Sequence, residues 1–113
     1  MFKTIGRHVP PPAGVRSPME WGNEDRLAQL FGAHVAWLEV IRKAFVFRYP
    51  SAAAFVDEFR TYYGPMVKAF ESLDDAGRDA LAADLVALAE RHNTSDTALR
   101  VPSTYVQVLA QRA

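Results

Sequence analysis

Val35-Ala36-Trp37-Leu38-Glu39-Val40-Ile41 is dominated by β-branched and aromatic residues and holds no helical stripe of apolar positions. It reads as a strand, and so nearly continuous an apolar run implies cover on both faces. After a bend near Arg42-Lys43, Ala44-Phe45-Val46-Phe47-Arg48-Tyr49 sets Phe45, Phe47 and Tyr49 against Val46 and Arg48, the period of two of a second strand segment. The two pieces form one long, kinked strand or a tight pair, and the spacing leaves both open. Near the end of the chain, Ser103 to Gln111 alternates Val106, Val108 and Ala110 against Tyr105, Gln107 and Leu109, again as a strand does.

Helical patterns occupy the rest. Residues 2–8 suit a short helix that runs into Val9-Pro10-Pro11-Pro12, where fixed φ and missing N–H groups enforce an extended stretch. Residues 1–22 therefore read as an N-terminal connector, with a loosely held tail as the alternative. Asn23 is a good N-cap, Glu24 and Asp25 suit the positive end of a helix, and Leu27, Leu30 and Phe31 form its apolar face before Gly32 stops it. Ser51 caps the next helix, with Phe55, Phe59 and Tyr62 as its stripe. Gly64-Pro65 breaks it and starts another carrying Met66, Val67, Phe70 and Leu73. Asp74 or Asp75 caps a third, with Leu81, Leu85 and Leu88 inward beside Ala82 and Ala89, and Asn93 to Asp96 is the polar turn that ends it. The expected fold class is α+β: a small antiparallel or mixed sheet of two to three strands with about four helices. The expected organisation is one domain over residues 1–113, with a helix and strands at 23–50, a helical stretch at 51–93 and a C-terminal strand at 101–113.

Composition bounds the function. At 113 residues and 50% hydrophobic, the chain buries roughly 65% of its unfolded surface by size scaling, a real but modest core. Thirteen basic and thirteen acidic side chains cancel and no run of like charges exceeds two residues, so neither nucleic acid nor an anionic membrane is an expected partner. Zero cysteines excludes disulfides and thiolate metal sites and fits a cytoplasmic protein. No secretory signal opens the sequence, and no stretch of ~18 apolar residues spans a bilayer.

Four segments carry a resemblance: Pro10-Pro11-Pro12-Ala13-Gly14-Val15, Met19-Glu20-Trp21-Gly22, Arg60-Thr61-Tyr62-Tyr63-Gly64-Pro65, and Val101 to Ala110. Together they resemble the C-terminal half of class I S-adenosylmethionine-dependent methyltransferases, in the small-molecule and quinone-type branch. The resemblance implies that the strands near 34–41 and 103–111 are the sixth and seventh of a Rossmann-like sheet, with the helices of 51–92 as a cap over the substrate. It also implies that the cofactor-binding half lies elsewhere. Gly6, Gly14, Gly22, Gly32, Gly64 and Gly77 never fall two apart, so no nucleotide fingerprint can be built from them. The expected function is a truncated or split methyltransferase-like protein, inactive alone, which supplies a substrate-recognition cap and meets S-adenosylmethionine only if a partner chain brings the Rossmann half. The alternative is an independent small-ligand-binding or dimeric assembly module derived from that half.

Single residues give weaker leads. His8, His34 and His92 lie far apart without ligand spacing, so no metal site is expected, and His34 is the most pocket-like of them. Glu39, sharing a face with Trp37 and Ile41, is either a buried base or a solvent-facing residue on an edge strand. No serine has the histidine or the strand-turn-helix elbow of a nucleophile. Aromatics with polar tips near element ends suit a small apolar ligand, which nominates Trp21, His34, Tyr62, Tyr63 and Tyr105 as substrate-binding, with no catalytic or cofactor-binding residue named. The expected partners are a second copy, joined through an exposed edge of the strand near 103–111, or a separate Rossmann-type chain.

Overall fold

The computed structural model describes residues 1–113 and has an α+β fold: five α-helices and a two-stranded antiparallel sheet. The helices are α1 (Phe2–His8), α2 (Glu24–Phe31), α3 (Ala52–Tyr62), α4 (Gly64–Glu71) and α5 (Asp75–Arg91). The strands are β1 (Val35–Tyr49) and β2 (Leu99–Arg112). Two short 3-10 turns, Pro18–Gly22 and Gly32–His34, flank α2. Residues group into two compact units, one of Met1–Pro12 with Val46–Pro102, the other of Ala13–Phe45 with Ser103–Ala113.

The first unit is a helical cluster. Its core joins Ile5 of α1, Val56 of α3, Met66, Ala69 and Phe70 of α4, and Leu81 and Leu85 of α5, with Phe55, Phe59 and Tyr63 packed against it. A second cluster of Ala52, Ala89 and Leu99, joined by Tyr49 and Val101, seats the inner ends of both strands on these helices. Each predicted cap forms: Ser51 Oγ accepts from Ala54 N at 3.1 Å and Asp74 Oδ1 from Gly77 N at 2.8 Å. Arg78 Nε donates to the Phe70 carbonyl at 2.8 Å, adding a partner to an acceptor at the end of α4 that also takes the Leu73 N–H at 3.4 Å, and Arg60 lies 4.5 Å over the Phe70 ring.

Several expectations need correction. α1 is no loose tail: Thr4 and Ile5 are buried, and His8 Nε2 lies 2.8 Å from Asp84 Oδ2 of α5. The inward stripe of α3 runs through Phe55, Val56 and Phe59, while Tyr62, the last residue of the helix, is 81% exposed. Of the two readings left open for residues 35–49, one long strand is the one observed, running unbroken through Arg42-Lys43. β2 starts at Leu99 and takes in Pro102; in a two-stranded sheet alternate residues of each strand point their N–H to the open edge, where a missing donor costs no ladder bond.

The second unit holds α2 and the outer halves of both strands. Asn23 Oδ1 caps α2 by accepting from Arg26 N at 3.0 Å, and Leu27 is the fully buried residue of the helix. Gly32 closes α2 at φ 42°, ψ −127°, a conformation that a side chain would strain. Arg42 ties the strand to the helix through Glu24 at 3.0 Å, and the Ala113 N–H donates to the His34 carbonyl at 3.1 Å at the far end of the ribbon.

Candidate functional site

Side chains alternate along a strand, so residues two apart share a face. In the second unit, Trp37 Nε1 donates to Gln111 Oε1, which puts odd-numbered residues of β1 and odd-numbered residues of β2 on the same face. That face carries Trp37, Glu39, Ile41, Lys43 and Phe45 from one strand and Tyr105, Gln107, Leu109 and Gln111 from the other. The opposite face carries the half-buried Leu38, Val40, Val106 and Val108 and the Arg42 that reaches Glu24. Cover is therefore one-sided. The expectation that the 35–41 run is enclosed on both faces is overturned: with only two strands and one short helix in the unit, there is material to shield one face.

The open face is strongly apolar. Trp37 is 48% exposed, Phe45 55%, Tyr105 49% and Leu109 40%. Four large hydrophobic side chains thus share one face of a ribbon, where isolated exposed hydrophobes would need no explanation. Between them stand Glu39 and Lys43, both exposed and neither in an ion pair within the chain. Glu39 is consequently solvent-facing, the second of its two readings, and a buried base at this position is excluded by its exposure.

Of the five nominated residues, Tyr105 alone belongs to this face. Trp21 sits exposed on the Pro18–Gly22 turn, and His34 ends the Gly32–His34 turn with its side chain in solvent. Tyr62 projects into solvent from the end of α3, whereas Tyr63 is half-buried with its ring 5.4 Å from that of Phe59. None of the five lines either of two open depressions, one bounded by Arg60, Val67, Phe70, Glu71 and Arg78, the other by Met19, Gly22, Asn23, Glu24, Asp25 and Arg42. No three His, Asp or Glu side chains converge in a group suited to a metal ion. Trp37, Phe45 and Leu109 were missed as candidates: the period of two groups Trp37 with Phe45 and Leu109 with Tyr105, but only the contact between the two strands puts both sets on one face.

No protein-family model matches the sequence, and no curated protein matches it.

Proposed function

We propose that this chain is a binding module that docks another protein surface through the open face of its ribbon. The observation that carries this reading is the co-location of Trp37, Phe45, Tyr105 and Leu109 on one uncovered sheet face. Aromatic side chains supply large contact area at low conformational cost and are enriched at protein interfaces, and an exposed cluster of this size marks an interaction site. A photo-crosslinking residue placed at Trp37 should give a discrete product in cells making the full chain, whereas one placed at the exposed Thr61 of α3 should give none. Equal products, or none from position 37, would overturn the reading.

The four segments that resemble a methyltransferase C-terminal half favour a second reading, in which the docked surface is a separate Rossmann-type chain and the cofactor belongs to that chain. Support for it is the sequence resemblance, and the same crosslink would then capture a protein with a Gly-rich nucleotide turn. Calorimetry on the isolated chain should detect no S-adenosylmethionine binding under this reading, and saturable one-to-one binding would sink it. A small apolar ligand held by the same aromatics is the remaining form of the module, and would leave position 37 without a protein adduct.

A further inference from the structure

Resting on the reading of the ribbon as a docking face, we infer that its occupant is a second copy of this chain, packed face to face about a two-fold axis that passes between Ile41 and its counterpart. The face is palindromic in chemical character. Counting outward from Ile41 along β1, Glu39 and Lys43 stand two residues away on either side, and Trp37 and Phe45 stand four away. Counting outward from Gln107 along β2, Leu109 and Tyr105 stand two away on either side. With Trp37 opposite Gln111, as their hydrogen bond indicates, Ile41 lies opposite Gln107, so the centres of both strands' patterns coincide.

A two-fold axis lying between two such sheets, at right angles to the strands, reverses strand direction and brings each residue over the one equally far on the other side of the centre. Glu39 of each copy then meets Lys43 of the other, Trp37 meets Phe45, and Leu109 meets Tyr105. Two reciprocal ion pairs form from two side chains that have no ion-pair partner within their own chain. At roughly 3.3 Å per residue the charges stand about 7 Å from the axis and the aromatic rings about 13 Å, within reach of one another across sheets packed ~10 Å apart with the usual twist between them. The nine residues from Trp37 to Phe45 and the two-strand width give on the order of 300–400 Å² per copy, below the ~800 Å² of a standard interface. The dimer is accordingly weak and concentration-dependent. This arrangement uses the sheet face, and differs from the edge-to-edge pairing that the strand pattern alone suggested.

The test is charge reversal followed by sedimentation velocity from 1 to 500 μM on the full chain. The unaltered chain should dimerise with a micromolar dissociation constant. Glu39→Lys and Lys43→Glu should each weaken it at least tenfold, because each places two like-charged pairs across the axis, and the double reversal should restore it to within about threefold. Both positions are exposed, so folding is not at risk, and unchanged far-ultraviolet circular dichroism serves as the control. A chain that stays monomeric throughout, single reversals without effect, or a double reversal no tighter than the singles would overturn the inference. The adduct at position 37 separates its failure from that of the underlying reading: a mass of two chains supports self-association, a mass of this chain plus a different protein refutes it while leaving the docking face intact, and no adduct refutes both.

Discussion

Asn93 organises the return from α5 to β2, beside Thr94, whose N–H and hydroxyl both donate to the Arg100 carbonyl at 2.9 and 3.0 Å. Asn93 Oδ1 accepts from Ser95 N at 3.0 Å and Arg100 N at 2.9 Å, while its Nδ2 donates to the Ala98 carbonyl at 2.9 Å. An asparagine that mimics backbone in this way leaves three main-chain groups unpartnered when removed. At a net worth of ~0.5–1.5 kcal/mol per bond, Asn93→Ala should cost about 2–3 kcal/mol, read as a lower urea midpoint with an unchanged slope. A loss below about 0.5 kcal/mol would show that the turn does not depend on this side chain. Asp84 makes a pH-dependent link of a different kind. The hydrogen bond from His8, and then the charges of His8 and Arg7, hold its carboxyl below the usual carboxylate value. Because the folded state favours the ionised form, the stabilisation is complete above the ordinary aspartate value of 3.8 and is lost as pH falls below it through the lowered one. Amide exchange in α1 should therefore accelerate under acid in that window, and Asp84→Asn should abolish the acid response specific to α1. An identical acceleration in that variant would assign the effect elsewhere.

At the scale of elements, the corner between α3 and α4 shows how far sequence reasoning reaches. The break at Gly64-Pro65 was legible because Pro65 lacks a donor and its ring forbids a continuous helix. The hinge itself sits one residue earlier: Tyr63, at φ −88° and ψ 106°, ends α3 and caps α4, and its carbonyl accepts from Met66 N and Val67 N at 2.8 and 2.9 Å. Gly64 has an ordinary negative φ and nothing within 4 Å of where a Cβ would stand. Gly64→Ala should thus stabilise by about 0.5 kcal/mol by restricting the unfolded chain, and Pro65→Ala should destabilise by a similar amount for the converse reason. Thermal midpoints of the two variants moving in the same direction would contradict this account. Caps and breaks were readable because they depend on local chemistry, as Asn23, Ser51 and Asp74 show. Burial of β1 was not, since an apolar run records that a strand is hydrophobic and not how many neighbours exist to cover it. The same limit hid the candidate face: Tyr105 was named for its residue type, whereas Trp37, Phe45 and Leu109 join it only once the pairing of two distant strands is known.

For the whole molecule, the long antiparallel ribbon has a consequence in time. β1 is complete at Tyr49, but its only pairing strand begins at Leu99, and the intervening residues contain α3, α4 and α5. Helices close short loops and form early, whereas strand pairing across so large a separation must wait for them. Pulse-labelled hydrogen exchange should accordingly protect amides of α3–α5 before those of Trp37 to Lys43, and simultaneous protection would refute the order. During synthesis the wait is longer still. At ~5–20 residues per second, the ribosome needs roughly 3–10 s to make the 49 residues from Pro50 to Ala98, and throughout that interval a fifteen-residue apolar strand is exposed with both of its edges open. A nascent β1 is therefore a natural client for a chaperone and, without one, the segment through which newly made chains would first stick together.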